Sequence, residues 1–399
     1  MKYILENTDN CVGCSACAQR CPKQCISMVP DSEGFLSPVI EAEKCIDCGL
    51  CKKVCPVLSA GKQCGGSEKY DTPVTWAAWS LDVGIRLKSS SGGLFSMLAE
   101  DVLKKGGSVF GAAFGRDFTV KHLAVSNVSE LDSLRRSKYV QSDMGRCYIE
   151  AERLLREHRP VLFSGTGCQI AGLKSFLGKD YPELLTVDLV CFGVPSPKIW
   201  SMYLDYMKKR FKSDISEISF RDKANGWKNY CMYISFRNGR IYRRTAVKDP
   251  FFIGFGKNIF SRKCCYSCRF RHPESRADIT LADFWGAEKL NGTVADDNKG
   301  ISLVLANTPK GKAAVESLAG KCYLKETVFS EAAALNPRLV SSAPMPALRS
   351  RFFGDLNSGM DFAGLQRKYM NTFIQSFKLW VKSILGEQAL DGLRKLLGR

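Results

Sequence analysis

Eight cysteines between positions 11 and 55 constrain this chain more than any other feature. They read Cys11-Val-Gly-Cys14-Ser-Ala-Cys17-Ala-Gln-Arg-Cys21-Pro22 and, after a spacer, Cys45-Ile-Asp-Cys48-Gly-Leu-Cys51-Lys-Lys-Val-Cys55-Pro56. The run C-x2-C-x2-C-x3-C-P thus occurs twice. Such spacing lets three successive thiolates reach three corners of one iron-sulfide cube from a tight loop, while the fourth cysteine of each run ligates the other cube. Cys11, Cys14, Cys17 and Cys55 are therefore assigned to one 4Fe-4S cluster, and Cys45, Cys48, Cys51 and Cys21 to a second. Pro22 and Pro56 end the two short helices. Zinc sites also use C-x2-C pairs, but without the third and fourth cysteine at these intervals. A disulfide framework belongs to small secreted domains.

A chain of 399 residues is too long for a free ferredoxin, so a ferredoxin-like domain over 1–58 is expected to precede larger units. The Gly-, Ser- and Lys-rich stretch 59–73 reads as a linker, with Cys64 inside it as a plain thiol; Cys25 is read the same way. Eighteen cysteines, eight of them in cluster spacing, fit a reducing cytosol. No apolar leader or spanning segment is evident, and a cytoplasmic protein is expected. The net charge of +18 is distributed along the chain. It suits a phosphate-bearing cofactor, an anionic substrate, an acidic redox protein, a membrane surface or nucleic acid, or simply a solvated surface biased in sign.

Beyond the linker, Val74 to Trp79 reads as a strand, and Ser89-Ser-Ser-Gly-Gly93 opens a helix over Leu94 to Leu103. A small-residue loop at a helix start offers free N–H groups to an anion, and equally is ordinary capping chemistry. Strands at 107–114 and 120–125 precede a helix over 144–158. A strand at 160–163, a loop at 164–168 and a helix at 169–177 follow, then a strand at 184–190 and a helix from Ser196 to about Phe211. The alternation predicts an α/β core with a parallel sheet. Cys168 and Cys191 then fall at carboxyl ends of strands, where ligands gather in such sheets. Residues 215–247 alternate as an antiparallel insertion, with a tight turn at Asn238-Gly239. Cys264-Cys265-Tyr-Ser-Cys268 supplies one C-x2-C pair, which Cys168 and Cys191 could complete to a third set of four. Strands at 278–285, 301–306 and 322–328 flank a helix at 309–318. The fold expected is a mixed α+β and α/β one: a bacterial-ferredoxin-like domain, an α/β flavin domain over 74–330 with an antiparallel insertion, and a helical segment over 331–399. In that last segment Phe373, Phe377, Trp380, Val381, Ile384 and Leu385 share a helix face, which packs on the protein or makes a peripheral membrane contact. His122, His158 and His272 show no metal spacing.

Six stretches carry a resemblance: Ser89-Ser-Ser-Gly-Gly-Leu-Phe95, Ser137-Lys-Tyr-Val-Gln-Ser142, Leu162-Phe-Ser-Gly-Thr-Gly-Cys-Gln-Ile-Ala-Gly-Leu173, Asp188-Leu-Val-Cys-Phe-Gly-Val-Pro-Ser-Pro197, Ser219-Phe-Arg-Asp-Lys223 and Asp278-Ile-Thr-Leu-Ala-Asp-Phe-Trp-Gly286. In this order, over about residues 75 to 310, they resemble the coenzyme F-420 hydrogenase/dehydrogenase beta-subunit family. The resemblance implies FAD as central cofactor and a third 4Fe-4S cluster on Cys168, Cys191, Cys265 and Cys268. It further implies flavin contacts from Ser90, Ser91, Gly92, Gly93, Lys138 and Gln141, with Arg221 and Lys223 holding phosphates or an anionic substrate. The chain departs from the family pattern at Gly167, Phe192, Cys264 and Ala282. Phe192 stands where a histidine is usual and removes a proton donor, and Cys264 leaves the choice between it and Cys265 open.

A 4Fe-4S cluster moves one electron at a time, whereas a flavin handles both single electrons and hydride pairs. The expected function is an iron-sulfur, FAD-dependent oxidoreductase that takes electrons from a carrier protein or reduced coenzyme and reduces a small anionic organic substrate. Bacterial members often accompany surface-polysaccharide genes, which points to a sugar-linked one. The alternative is an electron-transfer subunit whose flavin exchanges hydride with a deazaflavin or nicotinamide for a partner enzyme. No G-x-G-x-x-G fingerprint supports direct nicotinamide use. Arg interleaved with aromatics over 227–244 is the weak signal for nucleic acid, and none is expected.

Overall fold

The computed structural model describes residues 4–59, 69–290 and 294–370. Cys64, most of the expected linker and the apolar face at 373–385 lie outside the described residues. The N-terminal unit contains α1 (Ala16–Arg20), β1 (Ile26–Pro30), β2 (Leu36–Ile40) and α2 (Leu50–Lys53). Its internal repeat extends to the backbone: Gly13 and Asp47, then Ser15 and Gly49, occupy matching places in the two runs, and all four have positive φ, from 53° to 73°. That left-handed turn curls each C-x-x-C-x-x-C loop back on itself, at a steric cost for the non-glycine members. Ser15 and Gly49 then start α1 and α2.

The larger unit runs β3 (Val74–Ser80), α3 (Val83–Lys88), α4 (Leu94–Lys104), β4 (Ser108–Phe114), β5 (Val120–Val125), α5 (Cys147–Arg156), β6 (Val161–Thr166), α6 (Gly167–Leu177), β7 (Leu184–Leu189) and α7 (Pro197–Phe211). It continues through β8 (Ile215–Asp222), β9 (Cys231–Phe236), β10 (Ile241–Thr245), α8 (Pro250–Gly256), β11 (Ile279–Asp283), β12 (Ser302–Ala306), α9 (Pro309–Glu316) and β13 (Cys322–Thr327). Helices α10 (Phe329–Leu335), α11 (Leu348–Asn357) and α12 (Phe362–Tyr369) follow.

Eight strands form one sheet in the order β13-β3-β12-β11-β7-β6-β4-β5. It is mixed, which corrects the expectation of a parallel sheet. Only β11-β7-β6-β4 pair in parallel, and the strands outside them run antiparallel to their neighbours. Leu303, Val304 and Leu305 of β12 are fully buried, each stabilising the fold by roughly 1.5–3 kcal/mol relative to exposure. Strands buried on both faces read as unbroken apolar runs whichever way they point, so composition does not reveal direction. The insertion is the three-stranded antiparallel sheet β10-β9-β8. It shares a core with α7, α8, α11 and α12.

The expected loop at 164–168 is also corrected. β6 runs to Thr166 and α6 begins at Gly167, with Thr166 and Gln169 forming a capping box. A side chain at 167 would meet the Phe270 carbonyl oxygen at 2.3 Å, so only glycine lets the segment at 270 pass this helix start.

The ferredoxin-like unit is docked on the larger one by named contacts. Arg262 donates from Nε to the Cys11 carbonyl oxygen at 2.6 Å, and from its two terminal nitrogens to the Leu36 carbonyl oxygen and Ser37 Oγ, both at 2.9 Å. Arg349, itself buried, pairs with both carboxylate oxygens of Glu33 and donates to the Ser261 carbonyl oxygen. Gln19 Oε1 accepts from Tyr148 N at 2.9 Å, and Gln141 Oε1 from Leu36 N at 2.8 Å.

Candidate redox site

The cysteines of the N-terminal unit fall into two groups. Cys14, Cys17 and Cys55 are buried and Cys11 is half-buried. Burial raises the Cys14 thiol well above its ordinary range, and the neighbouring Cys17, Cys11 and Cys55 raise it further. Cys21, Cys45, Cys48 and Cys51 line a separate cavity of about 280 Å³, with Cys48 exposed at its mouth. Each run thus sends its fourth cysteine to the other group. Cys25, read from sequence as a plain thiol, lines that second cavity too, with its Sγ 3.4 Å from Cys21 Sγ. The signal that could have found it is its position four residues after Cys21, immediately before β1.

A third group forms where the parallel strands end. Cys168 lies in the first turn of α6, Cys191 follows β7, and Cys265 and Cys268 come from the 3-10 turn Lys263–Ser267 and its cap. All four line one cavity, together with Asp188 and His272. Cys265 lines it and its neighbour Cys264 is not among the lining residues. Burial raises Cys168, and nearby Cys268 adds to it; burial followed by Cys265 pushes Cys191 up to about 12. Burial thus favours the protonated form of these thiols. Four thiols around one cavity are the donor set that a 4Fe-4S cube uses.

Residues anticipated as flavin contacts gather about the loop before α4, with one exception. Ser90 Oγ accepts from Ser137 N at 2.8 Å, Ser91 Oγ donates to the Ile301 carbonyl oxygen at 2.7 Å, and Gly92 N donates to Ser302 Oγ at 3.0 Å. Gly92 must be glycine, since a Cβ would lie 2.3 Å from the Ala78 carbonyl oxygen. Gly93 is the left-handed N-cap of α4. Arg221 and Lys223 lie beneath this loop and are committed to protein partners rather than left open for a phosphate. Arg221 grips Asp283 at 2.7 and 3.1 Å and donates to the Ser90 carbonyl oxygen at 3.1 Å. Lys223 Nζ donates to the carbonyl oxygens of Arg86, Ser91 and Lys299 at 2.7 to 3.0 Å. Three acceptors match the three donors of an ammonium group, although burial and then Arg221 push the Lys223 pKa down to about 7. Lys138 donates to the Ser133 and Arg135 carbonyl oxygens, and burial, then Arg136, push it down to about 7 as well. The exception is Gln141, which faces the ferredoxin-like unit: a Cβ on Gly13 would lie 2.3 Å from its Nε2.

Arg221 and Lys223 hold the Ser90 and Ser91 carbonyl oxygens, Arg136 reaches the Lys88 carbonyl oxygen just before them, and the Asp283 carboxylate holds Arg221. Burial is the first cause of the lowered pKa of both lysines and a neighbouring arginine the second, and an anionic group bound beside them would offset that second part. An aromatic wall that sequence reasoning missed joins this cluster to the third cysteine group. Phe192, next to Cys191, meets Phe255 edge-on at 5.4 Å; Phe255 meets Tyr139 at 5.0 Å; and Tyr139 OH accepts from Arg221 at 3.1 Å. Tyr230 and Trp285 flank the Arg221 guanidinium at 4.0 and 5.6 Å. Tyr139 sits inside the motif at 137–142 and Trp285 inside that at 278–286, but pattern alone does not say that they share a wall.

Comparison with known proteins gives two family matches. Residues 158–331 match the C terminus of the coenzyme F420 hydrogenase/dehydrogenase beta subunit, and residues 10–58 match the 4Fe-4S dicluster domain. The stretches at 89–95 and 137–142 lie N-terminal to the first match. Ferredoxin-1 of Caulobacter vibrioides is 44% identical over 59 residues, covering 14% of this chain and 46% of that protein. A Streptomyces griseus ferredoxin is 45% identical over 74 residues, covering 18% and 60%. This chain therefore spans about half the length of the curated relatives it matches. A chain of the F420-reducing [NiFe] hydrogenase complex from Methanosarcina barkeri aligns at 16% identity with a TM-score of 0.46, over 69% of this chain and 90% of that one. No described helix is long and apolar enough to cross a membrane.

Proposed function

Because this chain carries a C-terminal domain of the coenzyme F420 hydrogenase/dehydrogenase beta-subunit family behind a 4Fe-4S dicluster domain, we propose that it is an iron-sulfur flavoprotein oxidoreductase. It draws single electrons from an external carrier and delivers them as hydride to an organic substrate. Cys11, Cys14, Cys17 and Cys55 hold one 4Fe-4S cluster, Cys21, Cys45, Cys48 and Cys51 a second, and Cys168, Cys191, Cys265 and Cys268 a third.

One observation carries the reading. The third thiol group, the Phe192–Phe255–Tyr139 wall and the cationic loop at Ser90 form an unbroken series of contacts. FAD bound there supplies conversion between single electrons and a hydride pair. Arg136 and Lys138 would meet its phosphates, Arg221 and Lys223 would act through the loop they hold, and the aromatic wall would limit access of water to it. Phe192 carries no exchangeable proton, whereas Tyr139 and Tyr230 bring hydroxyl-bearing rings to the Arg221 end of this wall. Surplus positive charge favours an anionic substrate, and a sugar phosphate or nucleotide sugar is the class that fits.

The family takes its name from a beta subunit, and this supports a second reading, in which hydride is exchanged with a deazaflavin or nicotinamide for a partner enzyme. Anaerobic turnover of the purified chain with reduced methyl viologen separates the two. Viologen oxidation by the chain alone with a sugar-linked acceptor supports the enzyme reading. Oxidation that appears only with a deazaflavin or a second protein supports the electron-transfer reading.

A further inference from the structure

The three cysteine groups are not equivalent in their surroundings, and the differences define a direction. In the second group Cys48 is exposed and Cys21, Cys45 and Cys51 are half-buried, beside Lys23 and Lys52 at the cavity wall. The first group is inside, pressed on the larger unit. A Cβ on Gly172 would lie 2.9 Å from Cys14 Cβ and 3.0 Å from Cys14 Sγ. Cys14 is therefore seated on the bare backbone of α6, and any side chain at 172 would displace it.

Helix α6 also carries Cys168, four residues earlier and thus about 6 Å along its axis. Tyr148, fully buried, lies between the two: its hydroxyl donates to the Gln169 carbonyl oxygen at 2.8 Å and would meet a Cβ at 172 at 2.9 Å. A second tie runs beside the first. Arg262 donates to the Cys11 carbonyl oxygen, and its own carbonyl oxygen accepts from Cys265 N at 3.0 Å. Two members of the first group are thus each joined, through one residue or one helical turn, to a member of the third. Within the ferredoxin-like unit, α1 carries Cys17 and ends at Cys21, which binds the two cysteine groups there to each other.

We propose that electrons cross this chain in one fixed order: carrier, the Cys21/Cys45/Cys48/Cys51 cluster, the Cys11/Cys14/Cys17/Cys55 cluster, then over α6 at Gly172 to the Cys168/Cys191/Cys265/Cys268 cluster. This rests on the three-cluster reading above. Each step oxidises the donor by one electron and reduces the next cluster by one; no bond forms or breaks, and two passages from a one-electron carrier protein supply a hydride once a proton is added. Gly172 and Tyr148 are positioning residues that fix the separation of the last two clusters.

The test is electron paramagnetic resonance on the full chain, reduced anaerobically, with iron counted in each sample. About twelve irons and a third-cluster signal split by a neighbouring spin are expected in the unaltered protein. Cys48→Ala loses about four irons and keeps the splitting. Cys14→Ala loses the splitting. Gly172→Ala keeps the full iron content yet narrows the splitting, and it decides the matter if Cys14→Ala does not fold. Splitting lost in Cys48→Ala, or unchanged in Gly172→Ala, overturns the order. About eight irons with no third signal overturns the three-cluster reading itself, and the order with it.

Discussion

Replacing Arg262 by alanine isolates the contact that holds the ferredoxin-like unit in place. Arg262 is 5% exposed, and its guanidinium makes three hydrogen bonds to that unit, to the Cys11 and Leu36 carbonyl oxygens and to Ser37 Oγ. Removing a buried charged donor and leaving its acceptors unpaired costs about 1–3 kcal/mol per acceptor. Cys11, Leu36 and Ser37 are half-buried, so water recovers part of that loss. A net loss of roughly 3–4 kcal/mol follows, which shifts docking by some two to three powers of ten. Native-state hydrogen exchange reads this directly. In Arg262→Ala the β1–β2 amides lose protection by about that amount, while β6 and β7 keep theirs because their ladder lies in the other unit. Arg262→Lys, which retains charge but not the planar fork, falls between. Protection in β1–β2 unchanged within about 0.5 kcal/mol, or lowered equally throughout the chain, would refute the reasoning.

Three further perturbations have definite signs. His122 is buried, with Nδ1 against Ser142 Oγ at 2.5 Å and Nε2 against the Ser164 carbonyl oxygen at 3.0 Å, and burial pushes its pKa down to about 4. Between that value and about 6.5 the unfolded chain holds the extra proton, so about 3 kcal/mol of stability, complete above pH 6.5, is lost as pH falls to 4; denaturant titrations of His122→Asn across this range should lack that slope, and an identical slope contradicts it. Glu33→Ala leaves the buried Arg349 guanidinium without its carboxylate and should destabilise by about 3–5 kcal/mol, measured by thermal unfolding; a change under 1 kcal/mol contradicts the burial argument. Asp283→Asn frees Arg221 from its bidentate partner and loosens the Ser90 loop, so flavin content should fall while iron content stays constant; equal flavin content counts against the assigned site.

The parts of this molecule that were legible in the sequence are those whose chemistry fixes spacing. Cysteines that serve one cube must recur at set intervals, and Cys11 to Cys55 lie in two such runs. Cys168 and Cys191 were legible for another reason: both terminate apolar strands, and parallel strands end on one edge. Strand direction was not legible, because β3 and β12 are as apolar as the parallel strands. Nor was the fate of Arg221 and Lys223, since a sequence displays charge but not the Asp283 carboxylate or the backbone carbonyls that engage it. Gln141 differs again: it stands two residues from Tyr139 in one motif, yet it faces Gly13 and Leu36 across the docking surface while Tyr139 faces Phe255 and Arg221.

The most direct measurement of the central claim is the count of iron, acid-labile sulfide and flavin in protein purified without oxygen. Three cubes and one flavin predict about twelve irons, about twelve sulfides and one FAD per chain. About eight irons with no flavin would leave only the ferredoxin-like unit as a redox centre and contradict the account.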